Sequence, residues 1–175
     1  TDLQGNWADY CAMKALYAQE EAAGHEPVLL FCGDMVHGPS ARLNAPGAWP
    51  PYLGTAYSDE SAAILRDFME FSKEARTLSL LGNHEHAHIG GPVVSKFYPD
   101  EAAVLDAALG EDREAAVAFM ATWPLIAVAR CGLVFVHGSP AATEASLDDW
   151  EKVDLTGYDG MAPIEMLRAD EPFAR

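Results

Sequence analysis

Basic residues are scarce in this 175-residue chain: 11 Lys+Arg stand against 27 Asp+Glu, a formal charge of −16. A surface that acidic repels a polyphosphate backbone and an anionic lipid surface, so nucleic-acid and membrane-surface partners are disfavoured. No apolar run approaches the roughly 20 residues that a spanning helix requires. The three cysteines, Cys11, Cys32 and Cys131, form no CxxC pair. Cys32 and Cys131 border apolar runs, which reads as buried reduced thiols in a reducing, cytoplasmic setting. Against these absences, half of the residues are hydrophobic and 22% are charged, the balance of one folded domain rather than a disordered chain.

Strand-like and helix-like periods alternate. Asn6 is placed to cap a helix running to about Ala23, with Gly24 just past its end. Residues 28–32 are a short continuous apolar run, the pattern of a buried parallel strand. A loop rich in Pro and Gly covers 38–58. The spacing predicts a helix from a Ser58 cap to about Ala75, a strand at 78–81, helices at about 100–109 and 113–122, and two strands at 125–129 and 133–136. From Ala141 the chain is polar with short helical stretches. The fold class expected is α/β, with mixed β-sheets flanked by helices.

Polar residues gather where apolar runs end. Asp34, Asn83 and His137 each follow such a run and each adjoins a glycine; Asp2 fits the same pattern if a strand precedes Thr1. Strand carboxyl ends line the ligand crevice of α/β sheets, and glycine permits the sharp turn there. Asp and Asn oxygens with imidazole nitrogens suit Mn, Fe or Zn. Each also has a plainer reading: Asp34 and Asn83 as turn residues, His137 as a hydrogen-bonded core histidine.

The wording of these segments is more specific. Asp2-Leu3-Gln4-Gly5-Asn6, Gly33-Asp34-Met35-Val36-His37-Gly38, Gly82-Asn83-His84-Glu85 and Val136-His137-Gly138, in that order, resemble the calcineurin-like metallophosphoesterases, and most of all their phosphoprotein phosphatase branch. The resemblance implies one metallophosphoesterase-like domain over 1–175, whose first strand and C-terminal part are expected to be missing. It implies two divalent ions, Mn²⁺ first with Fe or Zn as alternatives. Asp2 and Gln4 would serve the first ion, Asp34 would bridge, Asn83 and His137 would hold the second, and His84 with Asp34 would be catalytic. The ions would hold the phosphoryl group of a phosphorylated substrate, protein or small molecule, and activate water.

Departures accompany the matches. Gln4 stands where the family usually has His, and His37 where the phosphatase branch usually has Asp followed by Arg. No His occurs after His137, although the family supplies a further ligand there. His37 and Arg42 are the candidates left for gripping phosphate. His86 and His88, read as loop residues, either contact substrate or solvate the loop. His25 reads as a helix-end residue. The loop aromatics read as a packed Ω-loop or a lid, and Asp148, Asp149 and Glu151 as a solvated face. The function expected is metal-dependent hydrolysis of a phosphomonoester, with protein phosphoserine or phosphothreonine as substrate. The alternative is a catalytically impaired phosphate- or metal-binding regulatory module on the same scaffold.

Overall fold

The computed structural model describes residues 2–138, 146–150, 152–158, 160–162 and 165. Helix α1 (Trp7–Ala22) starts where the Asn6 side chain accepts a hydrogen bond from Asp9 N, satisfying one of the free amides of the first turn. Strand β1 (Leu29–Phe31) pairs in parallel with β2 (Thr77–Ser79), and Leu80 N extends the ladder to Phe31 O at 2.9 Å. Between them lie the long loop, with 3-10 turns at Ala41–Asn44 and Pro51–Leu53, and helix α2 (Ser61–Phe71). After β2 come a single turn of helix, α3 (Asn83–His86), and then α4 (Glu101–Leu109), α5 (Arg113–Met120), the hairpin β3 (Ile126–Val128) with β4 (Val134–Val136), and α6 (Leu147–Trp150).

The sheets are smaller than the sequence suggests. Among the described residues there are two separate two-stranded sheets, one parallel and one antiparallel, flanked by helices as the α/β reading expects. A single hydrogen bond, Leu81 N to Pro124 O at 2.9 Å, ties the end of the first to the approach of the second. Helix α2 also starts later than expected. Ser58 does not cap it; Asp59 Oδ1 accepts from Ser61 N at 2.9 Å and also bonds the Ser61 hydroxyl, while Glu60 N donates to Gly5 O. The short Asp side chain satisfies the free amide and holds the preceding residues in a turn.

Helix α2 buries one stripe, Ile64, Leu65 and Phe68, against α1, α4 and α5. Phe68 meets Phe31 edge-to-face at 5.4 Å and Trp123 at 5.9 Å. Burying a ring of that size contributes about 3 kcal/mol. On the outer side Arg66 donates to Leu109 O and Ala108 O and pairs with Asp112 at 2.6 Å, so a cation closes the carboxyl end of α4. In the long loop, Trp49 packs edge-to-face on Tyr57 and its indole N–H donates to Gly54 O, whereas Tyr52 is 83% exposed. Among the described residues, ring packing within the loop is confined to the Trp49–Tyr57 pair, and most of residues 41–58 are exposed. His25 sits at the end of α1 beside Glu20 at 2.6 Å. Asp148 and Asp149 lie in α6; residues 139–145 and Glu151 are outside the described residues.

The consequence for function is positional. The chain after β1 delivers Cys32-Gly33-Asp34, the chain after β2 delivers Gly82-Asn83-His84, and β4 leads directly into His137. Leu3 and Gln4 both donate their amides to Asp34 O at 2.9 Å, which lays the Asp2–Gly5 segment alongside the turn after β1.

Candidate metal centre

Close approach of backbone to backbone explains the glycines here. A Cβ on Gly82 would stand 2.3 Å from Asp34 Oδ1 and 2.5 Å from Asp34 N; on Gly33 it would stand 2.8 Å from Gly82 Cα and 2.7 Å from His137 Nδ1. Only glycine lets the two turns touch. The described residues hold three non-glycine positions with positive φ, and all three are candidate site residues: Gln4 at 45°, Asp34 at 52° and His37 at 66°. Such backbone costs on the order of 1 kcal/mol each and persists where the surroundings enforce it.

The enforcing group is Glu85. It is fully buried and its carboxylate accepts from four backbone amides: Met35 at 2.7 Å, Asp34 at 2.9 Å, Gly82 at 3.0 Å and Val36 at 3.3 Å. One side chain on α3 thus clamps the turns after β1 and β2 in register. Burial, and then the charge of Asp34, push its carboxyl upward.

Asp2, Asp34 and His137 offer ligand atoms that all lie within 4.8 Å of one another. His137 Nδ1 stands 2.7 Å from Cys32 O, an acceptor, so Nδ1 donates there and Nε2 is left facing the site. That Nε2 faces Asn83 Oδ1 at 3.0 Å and Asp34 Oδ1 at 3.2 Å. Two side-chain oxygens and a ring nitrogen converge, an arrangement that a cation stabilises. A backbone carbonyl that fixes the ring tautomer is the usual support of a ligating histidine. The residues therefore fit divalent metal at this end of the site. Burial pushes the Asp34 carboxyl upward, against the opposing charges of His84 and His137.

Gln4, expected to serve the first ion, has a partner of its own. Its Oε1 accepts from Lys96 Nζ at 2.6 Å, so its carbonyl oxygen is already engaged by a cation. Sequence reasoning missed Lys96. The available signal was its isolation, since only four lysines occur and this one follows a Gly-Pro turn outside any helix. Arg42 is exposed in the first 3-10 turn, and no described hydrogen bond or ion pair joins it to the site.

Of the two histidines read as loop residues, His86 belongs to a helix and His88 lies in the turn after it. His86 is in α3; its Nε2 donates to Leu155 O at 2.7 Å, bracing the 152–158 segment. His88 is buried, with Nδ1 2.9 Å from Asp106 Oδ1 and Nε2 2.8 Å from His37 Nε2. Neither reaches solvent, so neither solvates a loop. His37 is 2% exposed and burial pushes its imidazole far below the ordinary value, with His88 and His84 adding to the effect. It is neutral, which removes the charge that phosphate binding was expected to use. His84 turns Nε2 toward Asp34 Oδ2 at 3.6 Å and Nδ1 toward His37 and Glu101. Burial opposes its charge, yet contact with Glu101 and the charges of Asp34, Glu101 and Glu85 raise it overall.

These shifts fix how the metal-stripped chain responds to acid. Burial, the largest cause in each case, lowers His37, His86 and His88 from 6.5. Below pH 6.5 the unfolded chain binds these protons and the folded chain does not, so stability falls as pH falls, by up to about 1.4 kcal/mol per pH unit for each histidine. His84 is raised, so its stabilisation is complete below pH 6.5 and is lost on going up; it adds no slope in the acid range. The raised carboxyls of Glu85 and Asp34 work the other way, since the folded chain takes up their protons first. Urea unfolding of the chelated chain between pH 7.5 and 5 is therefore expected to show a net loss of stability smaller than the three histidines alone would give. A flat profile would mean that these imidazoles are not buried as neutral groups.

The sequence model of the calcineurin-like phosphoesterases matches residues 1–171. The chain belongs to this family. Neither the curated proteins nor the solved structures give a match. For a calcineurin-like phosphoesterase, helices around small sheets and a cluster of acidic and imidazole ligands at the strand ends are the expected frame, and both are present. The family is one of metal-dependent phosphoesterases, and no helix among the described residues is long and apolar enough to cross a membrane.

Proposed function

We propose that this calcineurin-like phosphoesterase is a phosphatase that hydrolyses a phosphomonoester at a two-metal centre, with protein phosphoserine or phosphothreonine as the substrate class. The observation that carries the reading is the convergence of Asp34 Oδ1, Asn83 Oδ1 and Nε2 of His137. Asp2 and Asp34 supply the negative charge, Asn83 and His137 the neutral ligands. Divalent ions held there supply charge neutralisation of the phosphoryl oxygens and a water activated near neutral pH.

The chain's own residues do the rest. Glu85 and the two tight glycines hold Asp34 and Asn83 at fixed separation, so little reorganisation accompanies substrate binding. His84 presents Nε2 beside Asp34 and is the general acid, protonating the departing alkoxide; its raised proton affinity suits a proton donor. Lys96, exposed and anchored on Gln4, takes the place of the missing Arg as the cation that meets the phosphate. The surface charge of −16 favours substrates with basic residues near the phosphate. Hard oxygen ligands favour Mn²⁺. The cysteines carry no argument for a compartment, because Cys131 is exposed and Cys32 half-buried rather than buried as expected.

The test is hydrolysis of p-nitrophenyl phosphate by this chain with Mn²⁺ and with EDTA. Turnover that requires the metal and disappears with EDTA is expected. The pairing of Gln4 with Lys96 favours a second reading, a phosphate- or metal-binding regulatory module with one ion per chain. Metal-dependent turnover rules that module out; binding of one ion without turnover establishes it.

A further inference from the structure

Behind the ligands just described, on the far side of the His84 ring, lies a second set of metal-competent atoms. His37 Nδ1, His84 Nδ1 and Glu101 Oε2 form a triangle with edges of 3.0, 3.3 and 3.4 Å. All three side chains are buried, at 1%, 4% and 1% exposure in the ion pairs they form. Glu101 Oε1 is accounted for, since it accepts from Phe97 N. Oε2 is not: it is the one buried side-chain polar atom among the described residues without a hydrogen-bond partner, close to both imidazoles but aligned with neither. A carboxylate oxygen left unpaired in the interior carries a large desolvation penalty.

Proton bookkeeping along the cluster says what fills the gap. Asp106 bears a carboxylate that can only accept, so His88 Nδ1 donates to it and His88 Nε2 is the acceptor of the neutral ring. His37 Nε2 must then donate to His88 Nε2, which leaves His37 Nδ1 with a bare lone pair. On the other side, His84 Nε2 faces the Asp34 carboxylate and His84 Nδ1 faces His37 Nδ1 and Glu101 Oε2, so a cation bound between them takes the place of any proton on His84 Nδ1. Two imidazole nitrogens and a carboxylate oxygen therefore surround a common centre. An atom placed there would sit about 1.9–2.1 Å from all three, the bonding distance of zinc to imidazole nitrogen and carboxylate oxygen.

We propose that His37, His84 and Glu101 bind a further divalent cation, zinc by donor set and distance, separate from the centre at Asp2, Asp34 and His137. His88 and Asp106, with Arg113 on the outer oxygen of Asp106 at 2.5 Å, form the hydrogen-bonded support that orients His37. Asp34 and Asp106 at the two ends balance the added charge. The ion uses His84 Nδ1 only, so Nε2 remains turned toward Asp34.

The test counts zinc rather than activity, so it stands apart from the phosphatase reading. The chain is stripped with chelator, reloaded with Zn²⁺, dialysed, and its metal content measured. Glu101→Gln is expected to retain one zinc fewer than the wild-type chain. The Asp2→Asn/His137→Asn double variant, which leaves the trio intact, is expected to retain one zinc whose X-ray absorption shows two imidazoles. Equal zinc in wild type and Glu101→Gln would overturn the proposal. If Glu101→Gln does not fold, the double variant decides alone: one bis-imidazole zinc supports the site, and no retained zinc overturns it.

Discussion

Asp34→Asn is expected to abolish metal-dependent phosphoesterase turnover while leaving the chain folded. The substitution is nearly isosteric, Asn tolerates the positive φ of 52° at this position, and a side-chain oxygen remains to accept from His84 N. What disappears is the charge. Asp34 is the residue on which the groups of Asp2, His84 and His137 converge, so losing its anionic oxygens weakens any ion held between them. A loss on the order of a thousandfold, or about 4 kcal/mol of barrier, is expected. Stability should move the other way. Burial is the main influence on this carboxyl, and removing a buried charge relieves that cost, so the metal-free variant should melt at or above the wild-type temperature. The two readouts are p-nitrophenyl phosphate hydrolysis with Mn²⁺ and a thermal melt under EDTA. Full activity in Asp34→Asn would sink the assignment; inactivity with an unfolded chain would show a structural role instead.

Glu85→Ala is expected to be the most destabilising single change in the site. Glu85 contacts neither Asp2 nor His137, yet its two oxygens satisfy the amides of Asp34, Met35, Val36 and Gly82. An unpaired buried donor costs about 1–3 kcal/mol. Four of them imply about 4 kcal/mol or more, a large share of the 5–15 kcal/mol that holds a typical domain folded. The clamp also opposes the strain at Asp34 and His37, so its loss should release both turns together. Urea unfolding measures the effect, and a change below about 1 kcal/mol would contradict the clamp. Glu85→Gln keeps one acceptor oxygen but turns an NH₂ group toward backbone donors, so it should fall between wild type and Ala.

Much of the frame was legible because local chemistry decides it. Asn6 and Gly24 bracket α1, and Asp100 caps α4 through Ala103 N. The glycines beside Asp34 and Asn83 marked strand ends because only glycine fits where two turns touch. The less legible parts share one cause, partners distant in sequence. Glu101 reads as an acidic residue in the first turn of a helix, a position that the helix dipole favours by itself. Nothing local says that its second oxygen faces His37 and His84. Lys96 and Gln4 are 92 positions apart, and no periodicity links them. His86 and His88 alternate like loop residues, while the burial that makes them neutral comes from Leu155 on one side and Asp106 on the other.

The sequence by itself determined the element order, the strand-end placement of Asp34, Asn83 and His137, and the kinship that four ordered motifs express. These depend on short-range rules: capping, apolar periodicity and the backbone freedom of glycine. The tertiary structure alone decided which lone pairs face one another. It turned Gln4 to Lys96, made Glu85 the clamp of two turns, neutralised His37 by burial and set Glu101 against two imidazoles. Those outcomes follow from desolvation and hydrogen-bond geometry, which act through space and leave no trace in the spacing of residues along the chain.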